Sequence, residues 1–176
     1  MNIEELGYQK TPLGDLTLRR RLEPLLQNQE VFEVKLGEEY LMSSLFTESE
    51  RQLATLGLAP LEGALDVVVG GLGLGYTAAE VLKDKMVSRL LVIDLFQPVI
   101  DWHQAGLVPL GRVITGDRRC ELRQGDFFEL ARTGFDAVVL REGQRQSSAE
   151  RALTFFPAFY QGDVLEPRPL FAREAA

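Results

Sequence analysis

Near the start of the chain, apolar and polar residues alternate one by one. Gly14-Asp-Leu-Thr-Leu-Arg-Arg-Arg21 and Glu30-Val-Phe-Glu-Val-Lys-Leu-Gly37 both carry this period of two, as strands with one buried face do. Residues 1–45 are therefore expected to form a small antiparallel sheet. Thr47-Glu-Ser-Glu50 has the form of a capping box and predicts a helix to about Leu56, ended by Gly57 and Pro60. Beyond Pro60 the pattern changes to short strand-like runs, Val67–Val69, Leu90–Ile93, Glu121–Arg123 and Ala137–Leu140, separated by helix-like segments such as Tyr76–Leu82. Such alternation predicts βαβ units, hence an α/β fold with a parallel sheet and helices on its faces. After Leu140 the pattern offers one helix, from Ser147-Ser-Ala-Glu150 to just before Pro157. Gly162–Phe171 holds two prolines and little alternation. The sheet is thus expected to be truncated at the C-terminal end, with the tail or a second subunit covering its edge and open face.

The first of these runs leads directly into glycines: Leu65-Asp-Val-Val-Val-Gly-Gly-Leu-Gly-Leu-Gly75 is followed by a helical pattern. Glycines let a backbone turn tightly and approach a ligand closely, and N–H groups at the following helix start favour electron-rich oxygens. As Gly71-x-Gly73-x-Gly75, the run has Tyr76 where the dinucleotide fingerprint has its third glycine, which disfavours NAD. No Lys-Ser/Thr pair follows, so a triphosphate with magnesium is not indicated. A nucleoside without a polyphosphate fits better. The alternative is a tight packing turn without a ligand.

Two further strand ends are acidic. Arg89-Leu-Leu-Val-Ile-Asp94 places a carboxylate about 20 residues after the glycine turn, where doubly wound sheets hold a ribose. The competing role for Asp94 is to cap the helix beginning near Pro98. Gln124-Gly-Asp126 ends the third strand and would bring its carboxylate to the amino group of adenine. Otherwise Gly125-Asp126 is an ordinary turn, and Phe127 and Phe128 belong to the core.

Charge and cysteine content narrow the partners. The 176 residues suffice for one principal domain, and a net charge of −7 opposes nucleic acid or an anionic membrane as main partner. A neutral or cationic small substrate is favoured. One cysteine, Cys120, and one histidine, His103, disfavour a disulfide and a Cys/His metal site, so a cytoplasmic, metal-free protein is expected. No leader pattern or membrane-spanning apolar run is read in the sequence. Among the remaining residues, Asp101 and His103 stand two apart on a helix and do not face each other, so His103 reads as a surface or packing residue. Trp102 reads as core, Arg19-Arg20-Arg21 as a solvated edge, and Cys120 as a small buried hydrophobe.

Val-Val-Val-Gly-Gly-Leu-Gly-Leu-Gly75, Val-Ile-Asp94 and Gln-Gly-Asp126 together resemble the three nucleoside motifs of class I S-adenosylmethionine-dependent transferases. Within that superfamily the chain most resembles spermidine synthase-like proteins. Leu18-Arg-Arg-Arg21, Val34-Lys-Leu-Gly37 and Tyr40–Glu50 are similar to the strand-rich extension and first helix found there, and the likeness spans about residues 8–140. The resemblance implies a Rossmann-like doubly wound, mostly parallel sheet in residues 46–176 behind a β-rich extension in residues 1–45. It also implies S-adenosylmethionine or its decarboxylated form as donor, held by Gly70, Gly71, Gly73, Gly75, Asp94 and Asp126. An aminopropyl group would pass to a small amine, possibly a polyamine, in a homodimer. By analogy Tyr40, Met42, Ser43 and Ser44 would line the acceptor side. The chain departs from the family at three positions. Gly73 replaces the acidic residue of the aminopropyl transferase turn, Arg141 follows the fourth strand where those enzymes have an aspartate, and Val69 stands where methyltransferases carry an acid. Two alternatives therefore stand beside aminopropyl transfer: methyl transfer, and a catalytically inactive nucleoside-binding or structural dimer. No catalytic residue is identified.

Overall fold

The computed structural model describes residues 3–130, 135 and 137–140. Four antiparallel strands come first: β1 (Ile3–Thr11), β2 (Gly14–Glu23), β3 (Gln29–Leu36) and β4 (Glu39–Ser43), in the order β1-β2-β3-β4. Alternation works as expected in β2 and β3. Leu16 pairs with Leu36 and Leu18 with Val34, and these four side chains are buried on one face. The opposite face is mostly polar, with Val31 buried on it, and there Arg19 stands directly across from Glu33.

The arginines do not form a solvated edge. β2 lies between β1 and β3, and Glu33, only 2% exposed, receives Arg19 Nε at 2.6 Å and Arg21 Nε at 2.9 Å. Arg20, on the other face by alternation, pairs with Glu4 and Glu30.

Helix α1 (Glu48–Leu58) begins where expected, but the capping box does not form. Thr47 makes no side-chain cap bond, and its hydroxyl instead meets Arg51 Nε at 3.4 Å. The helix also continues through Gly57, because that glycine is buried against neighbouring structure rather than turning the chain.

Four parallel strands follow: β5 (Leu65–Gly70), β6 (Val87–Asp94), β7 (Cys120–Gln124) and β8 (Ala137–Leu140), in the order β7-β6-β5-β8. Helices α2 (Tyr76–Val81), α3 (Gln97–Gln104), α4 (Gly111–Gly116) and α5 (Phe127–Leu130) connect them. The order reverses at β5, as in half of a doubly wound sheet. Right-handed crossovers running toward β7 keep α2, α3 and α4 on one face, and the return toward β8 sends α5 to the other.

The side chains record this two-sided cover. Val67, Val69, Leu90 and Val92 join the main core with Ala78, Ile100, Trp102 and Ile114. Val68, Leu91 and Ile93 point the other way and pack with Phe127. The antiparallel sheet joins the main core through Leu16, Leu18, Val34, Leu36 and Met42, and a side chain at Gly7 would collide with the Trp102 indole.

Arg119, just before β7, fastens this arrangement. Its guanidinium donates to the carbonyls of Leu82 at 2.6 Å, Asp84 at 3.1 Å and Val87 at 3.1 Å, and its Nη2 also reaches Asp117 at 2.8 Å. It thereby satisfies two carbonyls just past α2, beyond the helix ladder, and one at the start of β6. The C-terminal helix expected from Ser147 to just before Pro157, the strand-poor segment 162–171 and Arg141 lie outside the described residues.

Candidate functional site

The carboxyl ends of β5, β6 and β7 meet at one place. The glycine turn leaves β5 beside β8, where strand order reverses and open α/β sheets bind their ligands. Gly71, Gly73 and Gly75 have φ of 89°, 51° and 88°. These lie in the left-handed region that costs an L-residue with a Cβ about 1–2 kcal/mol. Leu72 and Leu74 turn apolar side chains into the core, 3% and 1% exposed, so the turn presents backbone rather than side chains. The N–H groups of Gly73 and Leu74 have no backbone acceptor among the described residues.

Asp94 shapes this turn. It is 4% exposed; Oδ2 accepts the Leu72 N–H at 2.7 Å and Oδ1 the Phe96 N–H at 2.9 Å. The Gly71 N–H bonds the Ile93 carbonyl at 2.8 Å, and the Gly125 N–H bonds the Asp94 carbonyl at 2.9 Å. The tip of β6 thus binds both neighbouring tips. Asp94 is not a cap on α3, whose N-cap position, Phe96, has no side-chain cap bond. Its second bond instead closes a short side-chain turn leading into that helix.

Asp126 lies at the same edge, and its Oδ1 accepts the Phe128 N–H at 2.8 Å, opening α5. Phe127 is buried and meets Phe128 edge-on at 5.6 Å, so this pair serves the core. Gly125 has a φ of 156°, and a Cβ there would collide with Leu130. Gly70 closes β5, between Ile93 and Leu140 of the flanking strands.

The structure adds a residue to this set that the sequence reading left in the packing. His103 on α3 is 1% exposed, and its Nε2 lies 2.9 Å from the Gly73 carbonyl. Burial pushes its pKa below the ordinary imidazole value, and the bond to Gly73 opposes this only in part. A Cβ at Gly75 would lie 2.8 Å from His103 Cε1 and would also collide with Ile114. Gly75 is therefore required by packing as well as by φ. Two buried side-chain atoms, Thr77 Oγ1 and His103 Nδ1, have no hydrogen-bond partner among the described residues, and both flank the turn.

Beyond the turn, Arg51 stacks its guanidinium 5.2 Å from the centre of the Tyr76 ring and reaches Glu80 at 3.3 Å. Cys120 is half-buried, its thiol pushed up to about 12 chiefly by burial, which removes it as a nucleophile near neutral pH. Tyr40 is exposed, stacked by Arg19 and Lys35, and Met42 is buried in the core. Asp101 is exposed and bonded to Gln97, away from His103. Among the described residues there is no cluster of metal-binding side chains and no helix long and apolar enough to cross a membrane.

Residues 120–171 match a family of bacterial proteins of unknown function, DUF934. No curated protein matches the chain in sequence. Solved structures do share its fold. One is a spermidine synthase in complex with the transition-state analogue AdoDATO, at a TM-score of 0.64 and 19% identity over 77% of this chain and 45% of that one. Another is the spermidine synthase from Thermotoga maritima, at a TM-score of 0.65 and 19% identity over 78% of this chain and 46% of that one. The chain spans less than half the length of these enzymes. An antiparallel sheet followed by a parallel sheet with helices on both faces gives this chain an α/β fold similar to that of spermidine synthase.

Proposed function

We propose that the joined strand tips bind the nucleoside part of a sulfonium donor and that the protein transfers an aminopropyl group from decarboxylated S-adenosylmethionine to a small amine, such as a polyamine. The observation that carries this reading is the glycine turn at the sheet's reversal point, bonded through Leu72 and Gly71 to the tip of β6. In it, Gly70, Gly71, Gly73 and Gly75 form the cradle, Asp94 takes the ribose and Asp126 the adenine. The Gly73 and Leu74 N–H groups and the Thr77 hydroxyl fit a ligand with several oxygen atoms. The transfer would break a carbon–sulfur bond of the sulfonium, form a carbon–nitrogen bond to the amine, release one proton and leave a neutral thioether nucleoside. Residues 1–45 would act as an extension to a binding domain of residues 46–176 in a homodimer.

One observation favours a second reading. Arg51 places a cation over Tyr76, the residue next to Gly75. A guanidinium there suits the carboxylate that S-adenosylmethionine has and its decarboxylated form lacks, which points to methyl transfer. Calorimetric titration with both donors, and with NAD, separates the readings. Tighter binding of the decarboxylated donor supports aminopropyl transfer, and tighter binding of the carboxylated donor supports methyl transfer. Binding of neither donor overturns the nucleoside site.

A further inference from the structure

We propose that His103 is a positioning residue for the glycine turn, which keeps its ligand-receiving shape only while the His103 ring is uncharged. The proposal rests on the reading of the turn as a nucleoside site and goes beyond it, since His103 touches the turn from behind.

The geometry fixes where one proton of the ring lies. A carbonyl only accepts, so the 2.9 Å contact with Gly73 requires the hydrogen on Nε2. The neutral ring then carries its lone pair on Nδ1, a buried atom with no partner among the described residues. Protonation would place a second N–H, and a charge, among apolar neighbours. Gly75 lies against the ring, a Cβ there would meet Ile114 and Leu110 as well as His103 Cε1, and the His103 main chain lies directly against Gly111. The charged groups of the elements around it have other partners: on α3 Asp101 is bonded to Gln97, on α4 Arg112 lies beside Gly106, on α2 Glu80 pairs with Arg51 and Lys83, and at the tip of β6 the Asp94 carboxylate holds the Leu72 and Phe96 N–H groups. Nothing on the turn itself, Gly-Leu-Gly-Leu-Gly, offers a counter-charge. Charging His103 strengthens its bond to the Gly73 carbonyl but leaves the Nδ1–H buried without an acceptor, and turning the ring to bring that N–H to water breaks the bond that holds Gly73. Gly73, at a φ of 51°, is free to follow.

Because the chain has one histidine, its imidazole signals in a 15N-labelled sample need no assignment. The first arm is a ligand-free NMR titration from about pH 7.5 to about pH 5. The expected result is the Nε2–H form at the upper limit, with the Gly73 and Gly75 amide signals shifting together with the ring. A ring in the Nδ1–H form, a ring that stays uncharged throughout the titration, or glycine signals that stay still while the ring titrates overturns the proposal. The second arm measures S-adenosylmethionine and its decarboxylated form against wild type and His103→Gln. The glutamine amide offers a donor at the same position without titrating. Wild-type affinity should fall about tenfold per pH unit below the ring's titration midpoint, as the uncharged fraction falls. His103→Gln should hold its affinity within about twofold over the same range, a comparison that cancels any titration of the ligand. Equal pH dependence in the two proteins overturns the proposal. If neither donor binds at any pH, the nucleoside reading fails, and the ligand-free arm still decides whether His103 governs the turn.

Discussion

Two buried carboxylates, Glu33 and Asp94, are 2% and 4% exposed, yet they serve different ends. Glu33 is held by side chains, Arg19 on one oxygen and Arg21 on the other, and so fastens β2 to β3. Asp94 is held by main-chain N–H groups, of Leu72 and Phe96, and so gives a shape to backbone that has no regular structure of its own. The first is a device of stability, and its loss should be felt by the whole fold. The second determines where N–H groups point, and its loss should be felt chiefly at the turn.

The largest effect should come from Glu33→Ala, which leaves two guanidiniums, 18% and 11% exposed, without their shared anion. A loss of about 3–5 kcal/mol is expected, read as a lower urea midpoint. A loss under about 1 kcal/mol would show that the arginines simply turn to water and would remove the contrast with Asp94. Next, Gly75→Ala forces an L-residue to a φ of 88° and drives a methyl group into Ile114 and His103. It should cost about 2–4 kcal/mol. Asp94→Asn should cost less in stability, about 2 kcal/mol, because one acceptor oxygen remains while an amide is set against the other N–H. Donor binding should nevertheless fall at least about tenfold, the equivalent of 1.4 kcal/mol, in calorimetry. A variant that loses stability but keeps its affinity would make Asp94 a structural residue like Glu33. Smallest should be Arg20→Ala, whose partners Glu4 and Glu30 are more than half exposed. The expected cost is under about 1 kcal/mol and should shrink further in about 1 M salt.

The sequence shows some of this directly. β5 and β6 contain unbroken apolar runs, Val67–Val69 and Leu90–Ile93, because both faces are covered there, and β2 and β3 alternate because one face carries most of their apolar packing. The strand tips Asp94 and Asp126 are visible because the glycine spacing sets a frame for them. β1 gave little signal, since Ile3–Thr11 has no fully buried residue and therefore no alternation to read. α4 is bounded by glycines, Gly111 and Gly116, that look like a loop, yet Gly111 is packed directly against the His103 main chain. The Thr47 box had the right residues and failed because its hydroxyl meets Arg51. The contact of His103 with the turn and the role of Arg119 were not legible for a shared reason. Both act on carbonyls 30 or more residues away, and a carbonyl leaves no mark in the sequence.

The binding of both neighbouring tips by the end of β6 also bears on how the molecule opens. The amides of Gly71, Leu72 and Gly125 all close onto Ile93 and Asp94. They share one latch, so these three amides, unlike those of Gly73 and Leu74, have no small private fluctuation to exchange through. Hydrogen exchange there should follow the opening of β6, a central strand, rather than the faster rhythm of surface loops.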